Sequence, residues 1–155
     1  MALPTPAPGQ ELPALTRTVT REAIRRYAEA SGDFNRLHLD EEFARTTPFG
    51  GTVAHGMLVL AYLSEMLTGA FGRAWLAGGS LKVRFRAPAR PGDTVTATGR
   101  VVAIDSGQVR CTVACYNGQG EALITGDVEI GGATSSRVKP SDGASAGIQE
   151  GEELG

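Results

Sequence analysis

The chain has 155 residues, of which 41% are apolar, 6% aromatic and 21% charged, which is the size and composition of one ordinary globular domain. Collagen-like, mucin-like and wholly disordered chains are excluded by this composition. The formal net charge is -2, so no global positive field exists to bind a nucleic acid or an anionic membrane, and we expect neither as a partner.

The first elements of the chain are a short strand and a helix. Residues 1–13 lack the basic start and apolar run of a secretory signal, so we expect a flexible segment and a cytoplasmic protein. Residues 14–20, ALTRTVT, have the β-branched character of a strand. Thr20 can cap a helix over 21–30, in which Glu22 favours the positive end of the helix dipole.

Two more helices are predicted before the strands begin. Asp40 precedes a short helix that should end by Pro48. A longer helix runs from Gly56 through Leu67, ends at Gly69 and is apolar on nearly every side, so the rest of the domain should wrap it. Its apolar stretch is shorter than the roughly 20 residues needed to span a bilayer.

In the second half of the chain, apolar and polar residues alternate with the two-residue period of β-strands. The four strands predicted from this alternation are 81–86, 94–104, 109–116 and 121–130. The late strands leave no room for the crossover helices of a parallel sheet. We therefore predict an α+β domain over 14–130, in which a curved antiparallel sheet, with these four strands as a meander, wraps around the long central helix.

The cysteines and the C-terminal residues are not predicted to form a functional site. Cys111 and Cys115 lie on one strand, where their Cα atoms would be about 13 Å apart, beyond the roughly 7 Å limit for a disulfide. We expect core thiols, and the two Cys and two His of the chain do not give the spacings of a zinc site with four such ligands. Residues 131–155 have few large apolar side chains and are expected to form a disordered acidic tail.

The polar loop between the first two helices, SGDFNRLHL, holds Asp33, Asn35 and His38 within six positions. Because the flanking helices stiffen this loop, the carboxylate of Asp33 and the imidazole of His38 can share one water molecule as an acid/base pair. The same spacing allows a structural arrangement, in which Asp33 caps a turn and His38 bonds a carbonyl. The residues alone leave both interpretations open.

The start of the apolar helix offers a second kind of chemistry. A free N–H of Gly56, next to His55, can polarise a carbonyl and stabilise an enolate, although many glycines at helix starts are simple turn residues. Ser64 on the same helix has neither a neighbouring base nor a nucleophile elbow, so we interpret it as a positioning group. The alternative interpretation is that the Ser64 hydroxyl bonds a carbonyl oxygen one turn earlier in the helix.

A row of cationic side chains marks one strand and the turn after it. The row consists of Lys82, Arg84, Arg86 and Arg90. It is suited to contact phosphates, and the candidates for that contact include Arg84 and Arg86. The alternative is a solvated face of the sheet.

The loop and its surroundings resemble the hydratase motif of MaoC-like (R)-specific enoyl-CoA hydratases. The matching positions are Tyr27, Ser31, Gly32, Asp33, Asn35, Leu37, His38 and Ala44. The phrases TVAHGMLVLAYLSEML and LKVRFRAPARPGDTV are similar to later segments of that family, and the likeness spans about residues 15–130. Two positions depart from it, because Arg36 stands where proline is usual and Ala30 where a larger aliphatic residue or glycine is usual.

The resemblance implies a hot-dog fold and a homodimer joined through sheet edges. It further implies reversible hydration of trans-2-enoyl-CoA to (R)-3-hydroxyacyl-CoA, with no metal or redox cofactor. It assigns catalysis to Asp33 and His38, support to Asn35, the lining of the site to Ser64 and the oxyanion contact to Gly56. With a thioester substrate, Arg84 and Arg86 become candidates for contacts to the phosphates of its carrier. We expect His38 to be the base in hydration and Asp33 the acid. Arg36 is expected either to loosen the loop or to contact a carboxylate or phosphate of the substrate.

Three other functions compete with this hydratase. A dehydratase of acyl-carrier-protein thioesters would use the same residues and dock through a basic surface such as residues 82–90. A hot-dog thioesterase would hydrolyse the thioester, but the pairing of Asp33 with His38 argues against it. A non-catalytic acyl-CoA-binding protein would tolerate loss of the pair, which this chain retains.

Overall fold

A computed structural model describes residues 5–131 of the chain. In chain order its elements are β1 (Leu15–Thr18), α1 (Arg21–Ser31), α2 (Arg36–Leu39), α3 (Glu41–Arg45), α4 (Gly56–Phe71), α5 (Arg73–Gly78), β2 (Ser80–Phe85), β3 (Thr94–Asp105), β4 (Gln108–Tyr116) and β5 (Ala122–Gly131). The tail predicted over 131–155 lies outside the described residues, except for Gly131 at the end of β5.

The strands form one antiparallel sheet in the order β1-β3-β4-β5-β2. The predicted meander is therefore right for β3, β4 and β5 and wrong for β2, which pairs with β5. The reason is that α5 packs near β5 and delivers β2 to the free edge of that strand. Residues 86–93 then cross the end of the sheet, a distance of about 14 Å for three strand spacings, which eight residues easily span.

The core lies between α4 and the sheet. Leu63 and Leu67 of α4 are fully buried in one cluster with Val95, Cys111 and Leu123 of the strands. Cys111 and its neighbour on the strand, Cys115, are free and buried, which confirms the predicted core thiols. The α+β architecture of a sheet around a central helix, the hot-dog arrangement, is likewise confirmed.

Helix α4 differs from its prediction at its end and on one face. It runs through Gly69 and stops at Gly72, whose φ of 54° is in the region that favours glycine. Met57, Ala61 and Glu65 form an exposed stripe four residues apart along the helix. The prediction that α4 has no solvent-facing side is therefore wrong for this stripe.

Part of the N-terminal segment pairs with β3. The N–H of Gly9 donates to Val101 O at 2.7 Å and that of Leu12 to Gly99 O at 2.8 Å, and Leu12 is buried. Because β1 pairs only with residues 94–97 of β3, the rest of that edge is free to take these bonds. The flexible segment expected over 1–13 is thus incorrect for residues 9–12. Within residues 5–131, every helix is too short or too polar to cross a bilayer.

Candidate active site

The backbone of Asp33 is positioned by the end of α1. Gly32 adopts φ 74° and its N–H donates to Ala28 O at 2.8 Å, which ends the helix in the left-handed conformation that glycine accepts without strain. The hydroxyl of Ser31 donates to Tyr27 O at 2.7 Å and accepts the N–H of Asp33 at 3.2 Å. The sequence Ser-Gly-Asp therefore turns the chain sharply and fixes Asp33 directly after α1.

The loop predicted between the first helices contains the helical turn α2, which carries His38. Asn35 caps it, since the side-chain oxygen of Asn35 accepts the N–H of Leu37 at 3.0 Å. The N–H of Asn35 also donates to Oδ1 of Asp33 at 3.2 Å. Asn35 thus connects the carboxylate of Asp33 to the helix that positions His38.

The imidazole of His38 has one engaged and one free nitrogen. Its Nδ1 lies 2.7 Å from Val53 O, and because a carbonyl oxygen only accepts, Nδ1 carries the proton and Nε2 presents a lone pair. Nε2 lies 3.9 Å from Oδ2 of Asp33. That distance is too long for a direct hydrogen bond, but one water can lie about 2.8 Å from both atoms.

The bonds of the loop are compatible with both interpretations of Asp33 and His38. Asp33 uses Oδ1 in the turn and His38 uses Nδ1 in the bond to a carbonyl, as the structural alternative requires. Each side chain keeps its second polar atom free, and these two atoms face each other. The side chain of Asp33 is half exposed and that of His38 is 12% exposed, so solvent reaches the pair mainly from the side of Asp33.

His55 is a neighbour of the pair that the sequence did not identify as a site residue. It is 2% exposed, its Nε2 lies 3.0 Å from Asp33 O, and its ring stacks on that of His38 with centroids 3.8 Å apart and planes at 29°. The ring of Tyr27 packs against it at 4.8 Å. The chain contains only two histidines, and that count is a weak indication that His55 belongs to the site of His38. Their contact is made across 17 residues by the tertiary fold.

The segment before α4 holds the acceptor of His38 in place. Glu41 accepts both the hydroxyl of Thr52 at 2.7 Å and its N–H at 3.3 Å, and the guanidinium of Arg21 lies 3.6 Å away. The Thr52 hydroxyl, its N–H and the nearby Arg21 together hold the pKa of Glu41 below its usual value. Because Thr52 precedes Val53, this carboxylate anchors the carbonyl that orients His38.

A metal ion is a poor fit to the same side chains. Asp33, His38 and His55 carry ligand atoms within 4.8 Å of one another, the one such group among residues 5–131. The two imidazole rings are stacked, so their free lone pairs run side by side instead of converging on an ion about 2.1 Å from each nitrogen. The arrangement is better suited to moving protons.

Gly56 begins α4 directly after His55. As the first helical residue, its N–H has no partner inside the helix. A Cβ at this position would lie 3.0 Å from Cε1 of Phe85. Glycine therefore keeps a narrow space open between the helix start and the Phe85 ring, next to the stacked histidines.

The cationic row faces away from this site. Side chains alternate along β2, so Phe85 faces Gly56 whereas Arg84 and Arg86 line a cavity of about 790 Å³ on the other face of the sheet. Arg90 lies in the following turn, where its guanidinium donates to Phe49 O. The structure thus does not bring Arg84 and Arg86 to the Asp33 and His38 of the same chain, and their contact with carrier phosphates stays a prediction.

A smaller groove opens beside His38. Its volume is about 370 Å³, and its lining residues are Arg21, Arg25, Glu29, Phe34, His38 and Leu39. His38 is the member of the pair that reaches it. The groove therefore leads to the imidazole along α1 and α2.

Ser64 lies away from the pair on the same helix as Gly56. Eight residues separate it from Gly56, which is about 12 Å along an α-helix. Its hydroxyl accepts the indole N–H of Trp75 at 3.0 Å, which holds α5 on α4. Among the described residues its hydroxyl makes no hydrogen bond to a carbonyl one turn earlier or to Asp33 or His38, and its role in lining the site stays a prediction.

Known proteins resemble the chain in both sequence and structure. The family model described as the MaoC like domain matches residues 4–121. The 3-hydroxyacyl-thioester dehydratase Z of Mycobacterium tuberculosis is 38% identical over 104 residues, which are 63% of this chain and 69% of that protein. The (R)-specific enoyl-CoA hydratase of Rhodospirillum rubrum is 33% identical over 127 residues, 76% of this chain and 82% of that protein. The solved structure of the (R)-hydratase from A. caviae involved in PHA biosynthesis aligns with a TM-score of 0.72 and 29% identity, covering 83% of this chain and 98% of that one.

Proposed function

The chain belongs to the MaoC-like domain family, and we propose that it is an (R)-specific enoyl-CoA hydratase, which adds water reversibly to trans-2-enoyl-CoA. Its relatives are named as hydratases and as dehydratases, the two directions of one reaction, so it is a lyase of that class. The observation that carries the proposal is the pair of free atoms, Asp33 Oδ2 and His38 Nε2, that face each other across 3.9 Å.

In the proposed hydration, His38 is the base and Asp33 the acid. The bare Nε2 of His38 takes a proton from the shared water as the water oxygen bonds to C3 of the enoyl group. The protonated carboxyl of Asp33 delivers its proton to C2. The pair thus holds one proton before and after the addition, and it is reset when that proton passes from His38 to Asp33. Asn35 keeps the carboxylate in place, and no step requires a metal or redox cofactor.

The thioester carbonyl is assigned to the start of α4. As charge moves from C2 onto the carbonyl oxygen, a hydrogen bond from the free N–H of Gly56 stabilises the enolate. This N–H follows directly on His55, whose ring lies against His38. The donor at the start of α4 and the loop that carries the base and the acid are therefore two short segments that contact each other.

We further propose that the enzyme is a homodimer. Strand β2 lies at the sheet edge, and within residues 5–131 one of its sides is unpaired. Phe85 at its end and Met57 on α4 are about half exposed. Edge-to-edge pairing with a second copy would cover both features. Sedimentation should give a dimer, whereas a stable and active monomer at micromolar concentration would contradict it. A cytoplasmic location stays a prediction.

A second candidate is a dehydratase of acyl-carrier-protein thioesters. One relative, the mitochondrial 3-hydroxyacyl-[acyl-carrier-protein] dehydratase of Arabidopsis thaliana, is 31% identical over 113 residues. Lys82, Arg84 and Arg86 lie on an outer sheet face, where an acidic carrier protein could dock. Comparing kcat/KM for the same enoyl group on CoA and on the carrier protein separates the two candidates.

The deciding experiment is an assay on crotonyl-CoA and longer enoyl-CoA thioesters. Loss of the ultraviolet absorbance of the conjugated thioester reports hydration, chiral analysis reports the product, and a thiol trap reports hydrolysis. We expect the (R)-3-hydroxyacyl thioester and no free thiol. An (S) product, or stoichiometric thiol without a 3-hydroxyacyl thioester, would overturn the proposal.

A further inference from the structure

We propose that His55 is a positioning residue of the site, which holds the Asp33 carboxyl at the distance from His38 that a shared water requires. It acts chiefly through the hydrogen bond from its Nε2–H to the backbone oxygen of Asp33. The inference rests on the proposed function in taking Asp33 and His38 as the acid/base pair.

The contacts of His55 reach both members of the pair. Nε2 lies 3.0 Å from Asp33 O, and the ring lies flat against the His38 ring with centroids 3.8 Å apart. His55 is itself held between those partners and Tyr27, and it is 2% exposed. It therefore has little freedom to move, and it ties the loop that carries the pair to the first turn of α4.

The chemistry of the ring shows why this position uses an imidazole. Since the carbonyl of Asp33 can only accept, Nε2 of His55 carries the proton and Nδ1 is a bare lone pair. That Nδ1 is buried and has no hydrogen-bond partner among the described residues, which is unfavourable. A phenyl ring would stack on His38 equally well without this lone pair. What the imidazole adds is the N–H that meets Asp33 O.

Two substitutions separate the hydrogen bond from the stacking. His55→Phe keeps a ring against His38 and removes the donor. His55→Gln places an amide N–H near the position of Nε2 and removes the ring. The matched control is Ile24→Val, a fully buried change on α1 that lowers stability slightly and leaves the site intact.

The expected order of activity is opposite to the expected order of stability. His55→Phe should melt close to wild type and lose about 10- to 100-fold in kcat, because a misplacement of the order of 1 Å at a reacting group has that effect. His55→Gln should melt lower yet keep kcat within about ten-fold of wild type. KM should change little in both, since the buried ring does not meet the substrate. Ile24→Val should keep its kcat.

If His55 had only a structural role, the kcat of the two His55 variants would fall in the same order as their melting temperatures. Wild-type kcat in His55→Phe, or a loss in His55→Gln equal to or larger than that in His55→Phe, would overturn the proposal. The ring spectra of ¹⁵N-labelled protein give an independent measurement, because the chain has only two histidines to assign. His55 should show the Nε2–H tautomer and His38 the Nδ1–H tautomer. The opposite tautomer at His55 would overturn the proposal even if His55→Gln fails to fold.

These measurements also separate this inference from the proposed function. If the wild-type protein hydrates no enoyl thioester, the proposed function fails, while the tautomer of His55 still tests the contact to Asp33. If the wild type is active and the two His55 variants follow the stability order, the positioning role fails and the hydratase assignment stands.

Discussion

Substitution of Asp33 by Asn should abolish most of the activity and leave the fold intact. The carboxylate uses Oδ1 to accept the N–H of Asn35 at 3.2 Å, and the amide oxygen of Asn can accept the same bond. The side chain is half exposed, so the change should move the free energy of unfolding by no more than about 0.5 kcal/mol and Tm by about 1–3 °C. The amide cannot deliver a proton to C2, and loss of an acid/base group lowers kcat by about 10²- to 10⁴-fold.

The matched control is another carboxylate of the same region, Asp40. Its Oδ1 caps α3 by accepting the N–H of Phe43 at 3.0 Å, and its Oδ2 takes the guanidinium of Arg36 at 2.8 Å. Asp40→Ala should therefore lower Tm and leave kcat near wild type, the reverse of Asp33→Asn. Both are measured by the decay of enoyl-thioester absorbance and by thermal melting. Wild-type turnover in Asp33→Asn would refute the assignment of the acid.

Further outcomes follow from the helix start, the core thiols and the anchoring carboxylate. Gly56→Ala should lower kcat by at least about ten-fold with little change in Tm, because the methyl group displaces the exposed Phe85 ring and fills the space at the oxyanion N–H; an unchanged kcat would remove Gly56 from the mechanism. Burial raises the pKa of Cys111 to about 11 and that of Cys115 to about 12, so alkylation at pH 8, followed by mass spectrometry, should be slow until urea unfolds the protein; rapid labelling of folded protein would contradict this. The pKa of Glu41 is lowered in the folded state by the Thr52 hydroxyl, so its stabilisation is present above the unfolded value near 4.3 and is lost as pH falls through the lower folded value. Melting between pH 7 and pH 3 should show a shallower acid decline in Glu41→Gln than in wild type, and equal slopes would argue against this linkage.

The sequence predicts the elements of the fold better than their order in the sheet. Helix α4 is recognisable because its apolar residues exceed what one helix face can hold, and β3 to β5 because they alternate with short turns between them. The position of β2 is not recognisable in the same way, since strand pairing depends on where α5 directs the chain. The pairing of residues 9–12 with β3 is also not recognisable in the sequence, because it forms only where β1 leaves the edge of β3 uncovered.

In the candidate site, too, residues that are close in the sequence are predicted better than residues that only the tertiary fold brings together. Asp33, Asn35 and His38 are found from the sequence because they share one loop, and local bonds alone bring them together. His55 is 17 residues from His38 and reaches it only because the tertiary fold brings the residue before α4 against the loop. Arg84 and Arg86 lie away from the pair for a reason that is local, because the alternation along β2 places them on the other face of the sheet.

Arg36 shows that a departure from the family's loop need not alter its chemistry. It is the first residue of α2, where proline is favoured because the N–H there needs no helical partner and the fixed φ suits the helix. In this chain the guanidinium instead bonds Oδ2 of Asp40 at 2.8 and 3.1 Å and lies 4.5 Å above the Phe43 ring. These contacts hold the guanidinium on α3, so the loosened loop expected of Arg36 is not seen within the described residues, and its contact with the substrate stays a prediction. Ala30, the other departure, is exposed on α1 and supports no core contact. Arg36→Pro should therefore keep both kcat and the preference among enoyl-CoA chain lengths, and a shifted preference would show that the guanidinium selects the substrate.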